Sequence, residues 1–173
     1  MTRQGQTRHQ RLERSIRRAE GSCSKGLLPA TKAKRPPDNI TLAFTLWGIS
    51  NTNNPKGSIT HEIMIWSANR GGTPAGTKRG TLRVSGVNFD VYVNPNQSDN
   101  SGANQSQWTY VVFVAQAPLL KGQLDLDLTT GYLPEQGIMA DNTFLTSLEL
   151  GTEMSGGEGK AEVLDYAVTV AGK

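Results

Sequence analysis

The chain has 173 residues, enough for one domain with a buried core and too few for two large ones. Hydrophobic residues make up 36% and aromatics 6%, with Gly, Asn, Ser and Thr filling the gaps between short Val/Ile/Leu/Tyr runs, a texture of strands and turns more than of helices. No apolar run approaches the roughly 18 residues of a membrane span, the N-terminus has charge without the apolar stretch of a secretory signal, and the single cysteine, Cys23, forms no internal disulfide.

The net charge of +3 is unevenly divided. Residues 1–35 carry ten Lys/Arg against two acids, whereas residues 36–173 carry eight against thirteen, so the basicity belongs to the N-terminal segment. Its stretch RHQRLERSIRRAE sets Leu12, Ile16 and Ala19 at helical spacing, the pattern of a basic amphipathic helix that touches nucleic acid or an anionic surface. The apolar area there is too small to offset the entropy of ordering, which predicts a disordered basic arm. Pro36-Pro37 closes it. The expected organisation is an arm over residues 1–37 and one domain over 38–173.

Within that domain ITLAFTLWGI (40–49) reads as a buried strand and ITHEIMIWSA (59–68) as its hairpin partner, joined by the turn-rich SNTNNPKGS. A glycine-rich loop, NRGGTPAGTKRG, leads to strands near TLRVSGV and FDVYVN, then to the polar loop PNQSDNSGANQS. WTYVVFVAQA (108–117) is a core strand, and LLKGQLDLDLTTGYL (119–133) fits a strand by alternation and a short helix by length. TFLTSLELGTE (143–153) and AEVLDYAVTVA (161–171) are two last strands around GGEG. Many strands at short spacing predict an all-β antiparallel sandwich or barrel, and the lack of crossover helices argues against parallel pairing. Three N-x-[S/T] triplets, at Asn39, Asn96 and Asn104, are compatible with a secreted chain.

The run HEIMIW (61–66) begins like the HExxH zinc signature, but Ile65 stands where the second histidine belongs and the only other histidine, His9, is in the arm. A zinc site needs three or more protein ligands, so no metal site is expected. In an extended strand Glu62, Met64 and Trp66 share one face and Ile63 and Ile65 the other. The isoleucines suit a core. A carboxylate, a thioether and an indole in line suit a groove in which sugar rings stack, or else the rim of a half-exposed sheet. His61 falls on the opposite side from Glu62 and reads as structural. LELGTEMSGG supplies a second carboxylate, Glu153, with Glu149 on the same face by parity. Two carboxylates are what glycosidic cleavage needs, one to protonate the leaving oxygen and one to attack or to activate water.

HEIMIW followed some ninety residues later by LGTEMSGG resembles glycoside hydrolase family 12, the endoglucanases and xyloglucan-specific endo-β-1,4-glucanases. WTYVVFVA, FLTSLELGTE and AEVLDYAVTV are similar to further strands of that family, so the resemblance covers roughly residues 36–171. It implies a β-jelly roll of two curved antiparallel sheets, with polysaccharide lying along one of them. It also implies Glu62 as nucleophile and Glu153 as acid/base of a retaining mechanism, with carboxyl groups about 5–5.5 Å apart. Met64 and Trp66 match positions beside the nucleophile and, with Glu149, are the expected substrate-binding residues. By the same resemblance the protein is an extracellular, monomeric enzyme with no cofactor and no nucleic-acid or membrane partner, and repulsion and burial hold the acid's pKa up.

Three positions depart from the family pattern. Thr45, with Phe44 before it, stands in LAFTLW where the family carries an aspartate that tunes the nucleophile. MSGG follows Glu153 in place of the usual run, and strands expected on the N-terminal side, with their sugar-binding aromatics, are replaced by the basic arm. Two other readings therefore stay open: a catalytically impaired glucan-binding jelly roll, and a capsid-like subunit whose basic arm binds RNA.

Overall fold

The computed structural model describes residues 19–24, 39–98, 107–156 and 161–170. The expected helix on the basic segment before Ala19, the Pro36-Pro37 boundary, the Asn104 triplet and the turn at 157–160 lie outside the described residues.

Alternating apolar and polar side chains make long strands of β2 (Asn39–Ile49), β3 (Ile59–Arg70), β5 (Val87–Ser98), β6 (Gln107–Ala115) and β8 (Phe144–Ser155), with β4 (Thr77–Val84) completing a six-stranded sheet in the order β4-β5-β6-β3-β2-β8. A second sheet is three-stranded, β7 (Gly122–Asp125), β1 (Ala19–Ser24) and β9 (Asp165–Val170), in the order β7-β1-β9. The architecture is an all-β sandwich, one of the two alternatives expected from the strand spacing, with the two-sheet jelly-roll form that the family resemblance implied.

Two features differ from expectation. β3 and β6 run parallel, His61 opposite Thr109 through Trp66 opposite Val114. Among the described residues no helix makes the crossover; the β4–β5 hairpin does, turning tightly at Ser85 and Gly86, both at positive φ, and returning the chain into the same sheet. Residues 19–24 fall in the segment assigned above to the arm, and there the backbone pairs antiparallel with both β7 and β9. AEGSCS has no apolar alternation to announce a strand.

The ambiguous stretch resolves into both alternatives, β7 followed at once by α1 (Leu126–Glu135). Asp125 is the hinge: its carboxylate accepts from the Asp127 amide at 3.1 Å and caps the helix. Leu124, Leu126 and Leu133 then stay buried across the change of period.

The main core lies between the six-stranded sheet and the layer of α1 and the second sheet. Phe44, Leu46, Ile63, Ile65, Val111 and Phe113 enter it from β2, β3 and β6, and Leu124 and Leu133 from the opposite layer. Phe113 meets Tyr132 of α1 edge-on at 6.2 Å, and Phe44 reaches Tyr166 of β9 at the same separation. His61 ties the layers by a hydrogen bond: its Nε2 lies 2.9 Å from the Ile138 carbonyl oxygen, which fixes that nitrogen as the donor. Burial lowers its pKa, partly opposed by this bond.

Ile63 and Ile65 are fully buried, while Met64 and Trp66 belong to a second cluster on the other face with Ala43, Tyr110 and Val112. The parity read from HEIMIW is the parity of the fold. Phe113→Ala, which opens the contact between the sheet and α1, should cost about 3–5 kcal/mol, read as a lower urea midpoint at unchanged slope; a loss below about 1 kcal/mol would mean that the two layers do not pack through this ring.

Candidate active site

The far face of the six-stranded sheet carries an open cleft of about 280 Å³ lined by Glu62, Met64, Trp66, Thr41, Tyr110 and Glu153, with the loop around Gly72 as one wall. Four of the five residues singled out from the sequence meet here. Glu62 lies on β3 between Tyr110 of β6 and Trp47 of β2, whereas Glu153 lies on β8 opposite Thr41. The two glutamates are thus not rung partners. They share the cleft diagonally across β2, on one face of a sheet whose neighbouring strands are mutually rotated. The fifth residue, Glu149, pairs with Thr45 and so has the right parity, but it is exposed on the edge strand and outside the residues lining this cleft.

Glu62 has one partner that sequence reasoning missed. The indole Nε1 of Trp108 donates to its Oε2 at 2.9 Å, and Trp108 is held edge-on against Trp47 at 5.8 Å, with 71° between the ring planes. That bond gives Glu62 a neutral hydrogen-bond donor from β6, while Thr45 stands on β2 where the family carries an aspartate. Trp108 comes to this face because β6 lies next to β3, an adjacency the sequence does not show.

The electrostatics follow from this enclosure. Burial pushes the Glu62 carboxyl above its ordinary pKa, the Trp108 bond pulls it partly back, and the negative charge of Glu153 raises it again. Tyr110, whose hydroxyl lies 3.3 Å from the Met64 sulfur, is likewise pushed up by burial and by both glutamates, so it stays a neutral phenol. Among the described residues no three His, Cys, Asp or Glu side chains come together as a metal ligand set.

A bulge shapes the Thr41 end. Leu42 pairs with Ala68 but Ala43 with Trp66, leaving Ser67 as the extra residue, its hydroxyl bonded to the Leu42 carbonyl at 3.1 Å. Past the bulge Asn69 is the rung partner of Thr41. Its amide clamps the loop in both directions, accepting from the Gly72 amide at 3.0 Å and donating to the Gly72 carbonyl at 2.8 Å. A Cβ at Gly72 would stand 2.7 Å from Asn69 Oδ1, so the clamp requires glycine there.

A proton on Glu62 is held more tightly in the folded chain than in the unfolded one. Stability therefore falls as pH rises from the ordinary glutamate value through the raised one, and the cost is complete above it. Glu62→Gln, which keeps an acceptor for Trp108, should raise the melting temperature at about pH 7 and leave it near the parent's at about pH 3, where both forms are neutral. Trp108→Phe removes the bond that favours the charged form, so the Glu62 pKa should move further up, a shift that a carboxyl-resolved NMR titration reads directly.

Comparison with known proteins places this geometry. The model of glycosyl hydrolase family 12 matches residues 35–171. Among curated relatives, Endoglucanase S of Pectobacterium parmentieri is 28% identical over 130 residues, covering 74% of this chain and 48% of that protein. The xyloglucan-specific endo-beta-1,4-glucanase A of Aspergillus niger is 31% identical over 115 residues, covering 64% of this chain and 44% of that protein. The chain thus spans about half the length of the curated relatives it matches. A solved family 12 xyloglucanase from Bacillus licheniformis superimposes with a TM-score of 0.75 at 23% identity, over 92% of this chain and 65% of that one. The match over most of its length, on a fold that also agrees, establishes that the chain belongs to glycosyl hydrolase family 12.

Proposed function

We propose that the chain is a retaining endo-β-1,4-glucanase acting on soluble β-glucan or xyloglucan. One observation carries the reading: Glu62 and Glu153 line a single open cleft beside Met64 and Trp66, the equipment that cleavage of a glycosidic bond requires. Glu62 attacks the anomeric carbon and forms a covalent glycosyl intermediate. Glu153 protonates the leaving sugar, then takes a proton from the water that releases the intermediate. Met64 and Trp66 give the ring an apolar surface to rest on, and an open cleft suits internal cleavage of a polymer, whose flanking sugars orient the scissile bond. The same reading makes the protein an extracellular monomer without cofactor, nucleic-acid or membrane partner, whose catalytic domain takes in residues 38–173 together with the β1 strand that joins β7 to β9.

The raised pKa bears on the mechanism because a nucleophile must be ionised. The acid limb of kcat/KM should lie above the ordinary glutamate value, and Trp108→Phe should move it to higher pH. The burial of Glu62 also favours a second assignment, in which Glu62 is the acid and Glu153 the nucleophile. Azide separates the two. Added to Glu62→Gln, it should restore turnover and give a glycosyl azide of inverted configuration if Glu62 is the nucleophile, and one of retained configuration if it is the acid.

Reducing-sugar release from β-glucan and xyloglucan tests the activity itself. Either glutamate changed to Gln should lower turnover by several powers of ten while glucan binding persists, and Glu153→Gln should be least affected on aryl glycosides with activated leaving groups. Binding without any release by the parent chain would make it a glucan-binding member of the family. A salt-sensitive RNA complex in place of glucan binding would support the capsid-like reading.

A further inference from the structure

Two of the N-x-[S/T] triplets fall within the described residues, Asn39-Ile40-Thr41 and Asn96-Gln97-Ser98. Such a triplet takes an N-linked glycan where the asparagine amide and the hydroxyl two residues on are presented at the surface. The first is poorly presented. Asn39 heads β2 opposite Ser155, and its Oδ1 accepts from the Ser155 amide at 3.0 Å. Thr41 is 4% exposed, with its hydroxyl oxygen buried. Asn39 also lines the cleft that holds Glu62 and Glu153, so a branched sugar on its amide would fill the space meant for a substrate.

The second is built differently. On β5 Asn94 pairs with Tyr110 and Gln97 with Trp108, so Pro95 and Asn96 together stand opposite Thr109. Two residues against one make a β-bulge, and a proline, having no N–H to give the ladder, suits such a place. Asn94 pins the bulge with both ends of its amide, donating from Nδ2 to Gln97 Oε1 at 2.9 Å and accepting the Asn96 backbone N–H on Oδ1 at 3.2 Å. The Asn96 backbone is thereby fixed while its side chain bonds to none of the described residues. Asn96 and Ser98 are both exposed. Gln97 between them lines the cleft, and Asn96 does not.

We propose that Asn96 is an N-glycosylation site, and that of these two triplets it is the one the folded chain accommodates. The co-reactant is an oligosaccharide linked to a lipid pyrophosphate. A bond forms between Asn96 Nδ2 and the anomeric carbon, the bond from that carbon to the pyrophosphate oxygen breaks, the lipid pyrophosphate leaves and the amide gives up one proton. The bulge then carries the glycan beside the cleft, next to Gln97, without filling it. The proposal rests on the extracellular reading, since donor and transferase belong to the secretory route, and adds to it a specific acceptor.

Secretion of the 173-residue chain from a eukaryotic host, behind a cleavable signal peptide, tests it. Enzymatic release of N-glycans turns each modified asparagine into aspartate, so peptide mass spectrometry of the secreted protein reads positions 39 and 96 separately. Aspartate is expected at 96 and asparagine at 39. Asn96→Gln should reach the medium one glycan lighter and release reducing sugar from β-glucan at the parent's rate, because the residue is outside the cleft lining. Asparagine retained at 96 in protein recovered from the medium would overturn the proposal and leave the extracellular reading standing. Aspartate at 39 in protein that still cleaves β-glucan would overturn the choice between the two triplets.

Discussion

The pleat of β3 is the constraint on which the rest depends. Successive side chains of an extended strand point to opposite faces, and β3 lies inside its sheet, paired with β2 on one side and β6 on the other. Ile63 and Ile65 must then go into the core, and Glu62, Met64 and Trp66 must face the cleft. A slip of one residue would bury a carboxylate among the isoleucines' neighbours and expose the isoleucines, so the burial of the core also fixes the register of the site. Stability and chemistry are written on alternate residues of one strand.

That arrangement explains the electrostatics. A carboxylate on an interior strand is desolvated by the side chains flanking it, here Tyr110 and the edge-packed indoles of Trp47 and Trp108. The fold offsets part of the penalty with one N–H, from Trp108. An indole donor adds no charge, unlike an aspartate at position 45, and it comes from β6 instead of β2. The environment of Glu62 is consequently more apolar than a neighbouring acid would make it.

Much of this was legible in the sequence because alternation is a local property. HEIMIW declares which of its residues face inward, and the structure keeps those faces; ITLAFTLWGI and WTYVVFVA read as buried strands and are buried strands. Non-local facts were hidden. Nothing in WTYVVFVA says that β6 docks parallel to β3, and without that adjacency the bond between Trp108 and Glu62 has no sequence signal. AEGSCS is a strand through backbone pairing with β7 and β9, which leaves no periodic trace. The 119–133 stretch alternated like a strand through Leu124, Leu126 and Leu128, and only the capping capacity of Asp125 marked where the period changes. Glu149 shows the limit of parity: it gives the face but not the position along a twisted sheet, and β8 carries a local irregularity opposite Thr45–Trp47, with Ser147 at positive φ.

The strand order gives the two glutamates unequal mechanical footing. Among the described residues β3 has ladder partners on both sides, whereas β8 is the edge of its sheet, bonded only to β2, with residues 151–156 exposed. Amides of an interior strand exchange with solvent through openings close to global unfolding, and those of an edge strand through local fraying. Glu62 is therefore carried by one of the slowest-opening parts of the molecule and Glu153 by one of the fastest. The separation between the two carboxyl groups is set less by the core than by how long the end of β8 stays zipped to Asn39, Ile40 and Thr41, so breathing of a single strand edge modulates the geometry of the pair.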